Sequence, residues 1–360
     1  MKTIMDKAYQ QKGTVVVTVL ILVAVATYLA VEITHRQRID INRTATLLSL
    51  EQSSEYSKSA DVLAQYILNL DLELNLGGGG RSQPIDTLND EWATPRNFPV
   101  GRGSIGGEIV DLQGRFNLNS LALIEPIDVE AEPKAVPPVV GITHIYPKHI
   151  FIELLGNLSI PDPSDPDYDP SVTEEDLADR IKDWVDDNST PLADGAEEDV
   201  YLGKVPAYGA GDRLLLDVSE LILVEGITKH NVEKLSDFVA FLPANAPINL
   251  NTAPAEVRAA FEIGCLDPAE VSSALNSADG ITSSNLANIE SPGGNALRLP
   301  ACDETYVYPF SANSQFFLLK ATADVDGRRT RTQTVLFRED VTDAGDVDTK
   351  VILRTLLPPF

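Results

Sequence analysis

Residues 14–31 read TVVVTVLILVAVATYLAV, 18 positions without a charge. At about 1.5 Å of rise per residue such a run crosses the hydrocarbon core of a bilayer as one slightly short helix. Lys2, Lys7 and Lys12 precede it against a single acid, Asp6. Basic residues stay on the cytoplasmic side, so the remainder of the chain is expected outside. A removable secretory signal would carry a small-residue cleavage site after the apolar run. Residues 32–38 are instead EITHRQR, polar and charged.

The point that looks cleavable lies before the run, at Gly13-Thr14. A basic leader ending in Gly and followed at once by an uncharged helix resembles a type IV prepilin leader. Cleavage between Gly13 and Thr14 would leave the membrane helix on the mature protein. An ordinary signal anchor with an incidental Gly13 is the other reading. Farther on, Leu63, Ile67, Leu70 and Leu74 repeat at helical spacing, and four glycines at 77–80 end the pattern. A long helix, half in the membrane and half packed on a globular head, is the expected result.

The 360 residues carry a formal charge of -26 with 43% hydrophobic content, which suits a folded chain of two or three domains. Acidic surfaces repel nucleic acid phosphates. The two cysteines and four histidines show no zinc spacing. No nucleophile sits in a recognisable catalytic context, so no enzyme is expected. Residues 104–121 predict a hairpin around Gln113-Gly114, and residues 316–338 a second around Asp326-Gly327. Between them the pattern turns helical, over 173–185 with Thr173 as N-cap, 231–241 and 255–263. The expected class is α+β: a long N-terminal helix on an antiparallel sheet, with a large helical domain inserted between strands. The expected divisions are a leader (1–13), a membrane segment (14–31), the helix and first strands (32–120), the insert (121–309) and the closing strands (310–360).

Within the insert, residues 183–199 hold seven carboxylates and Asn188 across a helix end and a loop. Calcium takes six to eight oxygen ligands, and a bound cation would relieve the repulsion in such a loop. The spacing is not that of an EF-hand. Composition alone fits a solvated acidic loop as readily. Residues 247–257, PINLNTAPAEV, are similar to a helix-hairpin-helix element, but Arg258 is the only local cation, so packing rather than DNA contact is expected.

Six segments together resemble the K-type minor pseudopilins of the type II secretion pathway. They are QQKG, DLQGRFNLNSL (111–121), DWVDDNSTP (183–191), GAEEDVY (195–201), LLLDVSELILVEGI (214–227) and INLNTAPAEV (248–257), in the family's order. The resemblance implies a pilin-like fold and calcium in the inserted domain, with Asp186, Asn188, Glu197 and Glu198 as ligand candidates. This chain has Glu197-Glu198 where the family often has Glu-Asp, and Asp186-Asp187-Asn188 where it often has D-x-D, so the geometry is expected to differ. Thr18 stands where most pilins carry Glu, an exception that K-type subunits share. A buried carboxylate needs a partner, and a subunit with nothing ahead of it has none to offer. The resemblance therefore implies a filament-tip subunit that helps start assembly. Its partners would be the I-type and J-type minor pseudopilins, the major pseudopilin, prepilin peptidase and exported proteins. It would be single-pass in the inner membrane with its bulk in the periplasm. In that oxidising compartment Cys265 and Cys302 are expected to pair, two unpaired thiols being the alternative. A tethered periplasmic calcium-binding protein outside any filament is the competing function.

Overall fold

The computed structural model describes residues 3–77, 84–101, 103–123, 147–262, 266–277, 279–290, 310–339 and 348–357. In chain order they form α1 (Thr3–Gly77), β1 (Arg96–Val100), β2 (Gly103–Asp111), β3 (Phe116–Asn117), α2 (Pro147–Asn157), α3 (Glu174–Val185), α4 (Glu198–Leu202) and α5 (Lys229–Leu235). Then come β4 (Val239–Ala240), β5 (Ile248–Asn249), α6 (Ala255–Phe261), α7 (Pro268–Leu275), α8 (Ser283–Glu290), β6 (Phe310–Ser311), β7 (Phe316–Val325), β8 (Arg328–Arg338) and β9 (Thr349–Leu357). Among the described residues β1, β2, β7, β8 and β9 make one antiparallel sheet in that spatial order. The α+β class holds: a long helix on an antiparallel sheet, with helices placed between two of its strands.

At the start of α1 the side chains from Val15 to Val31 are exposed. Among the described residues α1 is the one helix long and apolar enough to cross a membrane. Farther along, α1 packs on the sheet through Ala60, Ala64 and Leu68, all buried, against Ile105, Ile109, Phe317, Leu319 and Leu336. This is not the stripe that leucine spacing picks out. Leu63 and Ile67 are only half-buried, and Leu70 and Leu74 are exposed. The small residues Ala60 and Ala64 let the helix approach the sheet, and polar pairs extend the same face. The Ser57 and Thr332 hydroxyls meet at 2.6 Å, and Thr334 Oγ1 donates to Asp61 Oδ1 at 2.8 Å. Ser53 pairs with Thr330 one step earlier.

These contacts orient the sheet along the helix. The β7–β8 turn lies toward the membrane end, beside Ser53. The start of β7 and the end of β8 lie toward the far end, where Arg338 Nη1 donates to Leu68 O at 3.5 Å. The turn itself is as expected: Asp326 (φ 52°) and Gly327 (φ 78°) both take positive φ, as a two-residue type I′ connection requires.

The hairpin expected at Gln113-Gly114 does not form. From Asp111 the chain turns into β3, which pairs in parallel with β4, Phe116 opposite Val239. Gly114 serves a different purpose, since a Cβ there would lie 2.7 Å from Thr252 Oγ1 and 2.8 Å from Thr252 O. The insert's core is already under way at Phe116, Leu118 and Leu121, so its beginning lies upstream of 121. It continues through Phe151, Leu154, Ile181, Trp184, Tyr201, Val257 and Phe261 to Leu286 and Ala312. The helix expected over 231–241 stops at Leu235, because Val239 and Ala240 are drawn into β4. The insert leaves from β2 and returns into β7, which are neighbours: Asp111 pairs with Phe317.

Candidate metal centre

Helix α3 begins with a full capping box. Thr173 Oγ1 accepts from Asp176 N at 3.2 Å, and Asp176 Oδ2 accepts from Thr173 N at 2.7 Å. Its buried face then delivers Asp183 and Trp184 to the core, and Asp186 caps its C-terminal end. Trp184 packs edge-on against Tyr201, ring centroids 4.9 Å apart.

Asp183 is wholly buried and its carboxylate receives the Leu192 N–H at 3.1 Å. Gly195 makes this possible, because a Cβ there would stand 1.8 Å from Asp183 Oδ2. Burial first, then the charge of Asp186, pushes Asp183 up to about 6, although the Leu192 N–H opposes the shift. Glu197 is 5% exposed, and its Oε1 is buried without a hydrogen-bond partner. Burial and then the charges of Asp183, Asp186 and Asp212 push Glu197 up to about 7. Asp186 is raised as well, by burial and by Asp187 and Asp212.

Asp183, Asp186, Glu197 and Asp212 thus form one electrostatic cluster. Of the four candidates named from sequence, the structure brings Asp186 and Glu197 into it. Asn188 is exposed, and its Oδ1 accepts the Thr190 N–H at 2.7 Å within its own loop. Glu198 Oε2 accepts the Ala210 N–H at 2.8 Å, tying α4 to the loop that carries Asp212. Asp183 and Asp212 were not among the candidates. Asp212 takes a left-handed conformation (φ 45°) right after Gly211, where a Cβ would lie 2.6 Å from the Trp184 indole nitrogen. An all-oxygen set with an orphaned buried carboxylate oxygen fits a hard cation such as calcium. Asp183, Asp186, Glu197 and Asp212 are the residues that would hold it.

A second group of the sequence segments meets where the insert joins the sheet. Asp111 Oδ2 accepts from Thr252 Oγ1 at 2.6 Å and from Ser314 Oγ at 2.5 Å. Asn249 Nδ2 donates to Ser314 Oγ at 2.9 Å, and Gln113 Nε2 to Pro247 O at 2.9 Å. Asn251 pairs with Ile281 in both directions, at 2.7 and 2.8 Å. The polar side chains of INLNTAP are therefore spent inside the protein, which accounts for that segment by packing. Burial pushes Asp111 up to about 6 despite the two hydroxyl donors.

Gly13 and Thr14 lie within α1, but their side-chain surroundings fall outside the described residues, as do Cys265 and Cys302 altogether.

Residues 114–244 match the family described as type II secretion system (T2SS), protein K. Type II secretion system protein K of Pseudomonas aeruginosa is 34% identical over 258 residues, covering 70% of this chain and 69% of the relative. The Klebsiella pneumoniae protein of the same name is 33% identical over 266 residues, 73% of this chain and 72% of its own. The crystal structure of the GspK–GspI–GspJ complex from enterotoxigenic Escherichia coli has the same fold. It aligns with a TM-score of 0.66 at 21% identity, over 88% of this chain and 100% of that one. With a relative above 30% identity aligned over more than two thirds of both chains, this chain belongs to the type II secretion system protein K family.

Proposed function

We propose that this chain is the minor pseudopilin at the tip of a type II secretion pseudopilus, where it helps start assembly of the filament. The placement of the insert carries this reading. Contacts along α1 run from Ser53–Thr330 to Leu68–Arg338, and the insert attaches at the Arg338 end, away from the apolar anchor. A filament grows by stacking subunits along their helices, so a bulky domain at that end leaves no room for a subunit above. The opposite direction stays open, and α1 presents Val62, Tyr66, Leu70 and Leu74 as an exposed row for neighbours below. A solved relative of the same fold is seen in a GspK–GspI–GspJ complex, which supports I-type and J-type minor pseudopilins as those neighbours. The major pseudopilin would follow beneath them.

In this reading prepilin peptidase cleaves between Gly13 and Thr14, α1 anchors the subunit in the inner membrane, and the sheet and insert occupy the periplasm. Calcium held by Asp183, Asp186, Glu197 and Asp212 would stiffen the insert. The role is one of assembly, not catalysis. Filaments drawn out by overproducing the major pseudopilin provide the test, using an epitope placed in the insert. Label confined to filament ends is expected; label spaced along the shaft would refute the tip position.

A further inference from the structure

A second group of carboxylates lies outside the insert, where the end of α1 meets the segment leading to β1. Single oxygens of Asp71, Asp86 and Asp90 all lie within 4.8 Å of one another. Asp86 is 1% exposed, and its two oxygens are used differently. Oδ2 accepts from Arg338 Nη2 at 2.5 Å and from Ser314 N at 2.7 Å. Oδ1 is buried with no hydrogen-bond partner. Asp71 Oδ2 lies 3.7 Å from Arg338 Nη1 and accepts from Asn75 Nδ2 at 3.2 Å. Asp90 Oδ2 accepts the Thr87 N–H at 2.6 Å.

Among the described residues three carboxylates share one guanidinium, and Arg338 is itself buried against Phe317. Burial first, then the charges of Asp86 and Asp90, pushes Asp71 up to about 7. A buried carboxylate oxygen left without a donor, among other acids, is costly unless something positive meets it.

We propose that Asp71, Asp86 and Asp90 bind a calcium ion that fastens the end of α1 to the chain entering the sheet. Two oxygens on one calcium, each at about 2.4 Å, stand at most about 4.8 Å apart, and the three separations here fall within that limit. The ligands are hard oxygens only, as calcium takes them. Magnesium would need a tighter octahedron than three carboxylates from two separate segments provide. The ion would offset the negative charge that Arg338 leaves among the described residues. It also joins directly two segments that Arg338 links from its own side: Asp71 belongs to α1, while Asp86 and Asp90 lie beyond the glycine run.

The test uses the full-length chain in detergent, loaded with calcium, desalted and assayed for calcium per chain by atomic emission. Asp90→Asn is expected to hold one ion fewer than the parent, and Asp71→Asn independently the same. The double variant Asp183→Asn/Glu197→Gln is expected to keep this ion, so failure of the site in the insert would be seen separately. In chelator Asp90→Asn should melt at or above the parent, because one repulsive charge is gone; in calcium it should melt below. Unchanged calcium content in both single variants overturns the proposal. So does equal destabilisation of Asp90→Asn with and without calcium, the mark of a purely structural aspartate. A proton on Asp71 in place of the ion would give unchanged calcium content and a midpoint that moves near pH 7, and that result also overturns it.

Discussion

The hydroxyl of Thr252 donates to Asp111 Oδ2 at 2.6 Å across 141 positions of sequence. Asp111 ends β2 and Thr252 belongs to the insert, so this one bond ties the two parts of the molecule at their shared base. Thr252→Val keeps the volume and removes the donor. We expect a loss of about 1–3 kcal/mol, the cost of an unsatisfied buried partner, read from chemical denaturation of the full chain. A change within error would mean that the remaining donors, Ser314 Oγ, Asn249 Nδ2 and the Gln113 N–H, suffice for Asp111.

Gly195→Ala tests the geometry of the carboxylate cluster. Its Cβ would stand 1.8 Å from Asp183 Oδ2 and 3.0 Å from Leu192 N, so the carboxylate must move. Overpacking of this kind costs about 1–3 kcal/mol. Calcium affinity should fall at the same time, which isothermal calorimetry can measure. Unaltered affinity would remove Asp183 from the ligand set.

The pH dependence in chelator follows from the raised carboxyl groups. Asp183 and Asp111 are pushed up to about 6 and Glu197 and Asp71 to about 7. Unfolded carboxyls release their protons near pH 4, by ordinary values of about 3.9–4.3. Between about pH 4 and 7 the native state therefore holds protons that the unfolded state has lost, and stability falls as pH rises. Saturating calcium should flatten or invert that slope, because the ion replaces the protons. Melting midpoints across this window, with chelator and with calcium, provide the check. A midpoint that climbs with pH in chelator would contradict the burial of these groups.

Leu68 and Leu74 share a helix but not a role. Leu68 is 0% exposed and Leu74 is 62% exposed. Leu68→Ala should cost about 2–5 kcal/mol, as buried leucine truncations do. Leu74→Ala should leave the melting midpoint unchanged and weaken co-purification with neighbouring pseudopilins. Equal stability losses in the two variants would mean that α1 packs on the sheet through another face.

Gly327→Ala probes backbone conformation alone, since its Cβ would meet nothing within 4 Å at φ 78°. A left-handed alanine costs about 1–2 kcal/mol. A thermal melt showing no loss would place the turn outside type I′.

What could be read in the sequence was local. Thr173 with three acids behind it caps α3, and Asp326-Gly327 sets the β7–β8 turn, because both depend on residues within a few positions. Of the carboxylate cluster around Glu197, the acidic segment named only Asp186 and Glu197. Asp212 arrives through the close approach of Gly211 to Trp184, a tertiary fact with no local pattern. The face of α1 was misread for a related reason. Leucine spacing marks apolar positions, but the sheet chose alanine and serine positions that allow close approach, leaving Leu70 and Leu74 outside. Gln113-Gly114 looked like a hairpin because glycine marks turns; here it admits Thr252.

The adjacency of β2 and β7 has a bearing on how the chain is made. Asp111 and Ser314 touch at 2.5 Å although 203 positions separate them. During synthesis β1 and β2 emerge early, but the three strands that complete their sheet come after the whole insert. Until then Leu68 has only part of its cover, and one edge of β2 has no strand beside it. Such long-range closure is slow relative to local folding. The insert, whose core from Phe116 to Leu286 precedes β7, can collapse first and bring the two ends of the interrupted sheet together. The inserted domain would then act as the clasp that closes the sheet, and its folding would set the moment at which the subunit becomes competent to join a filament.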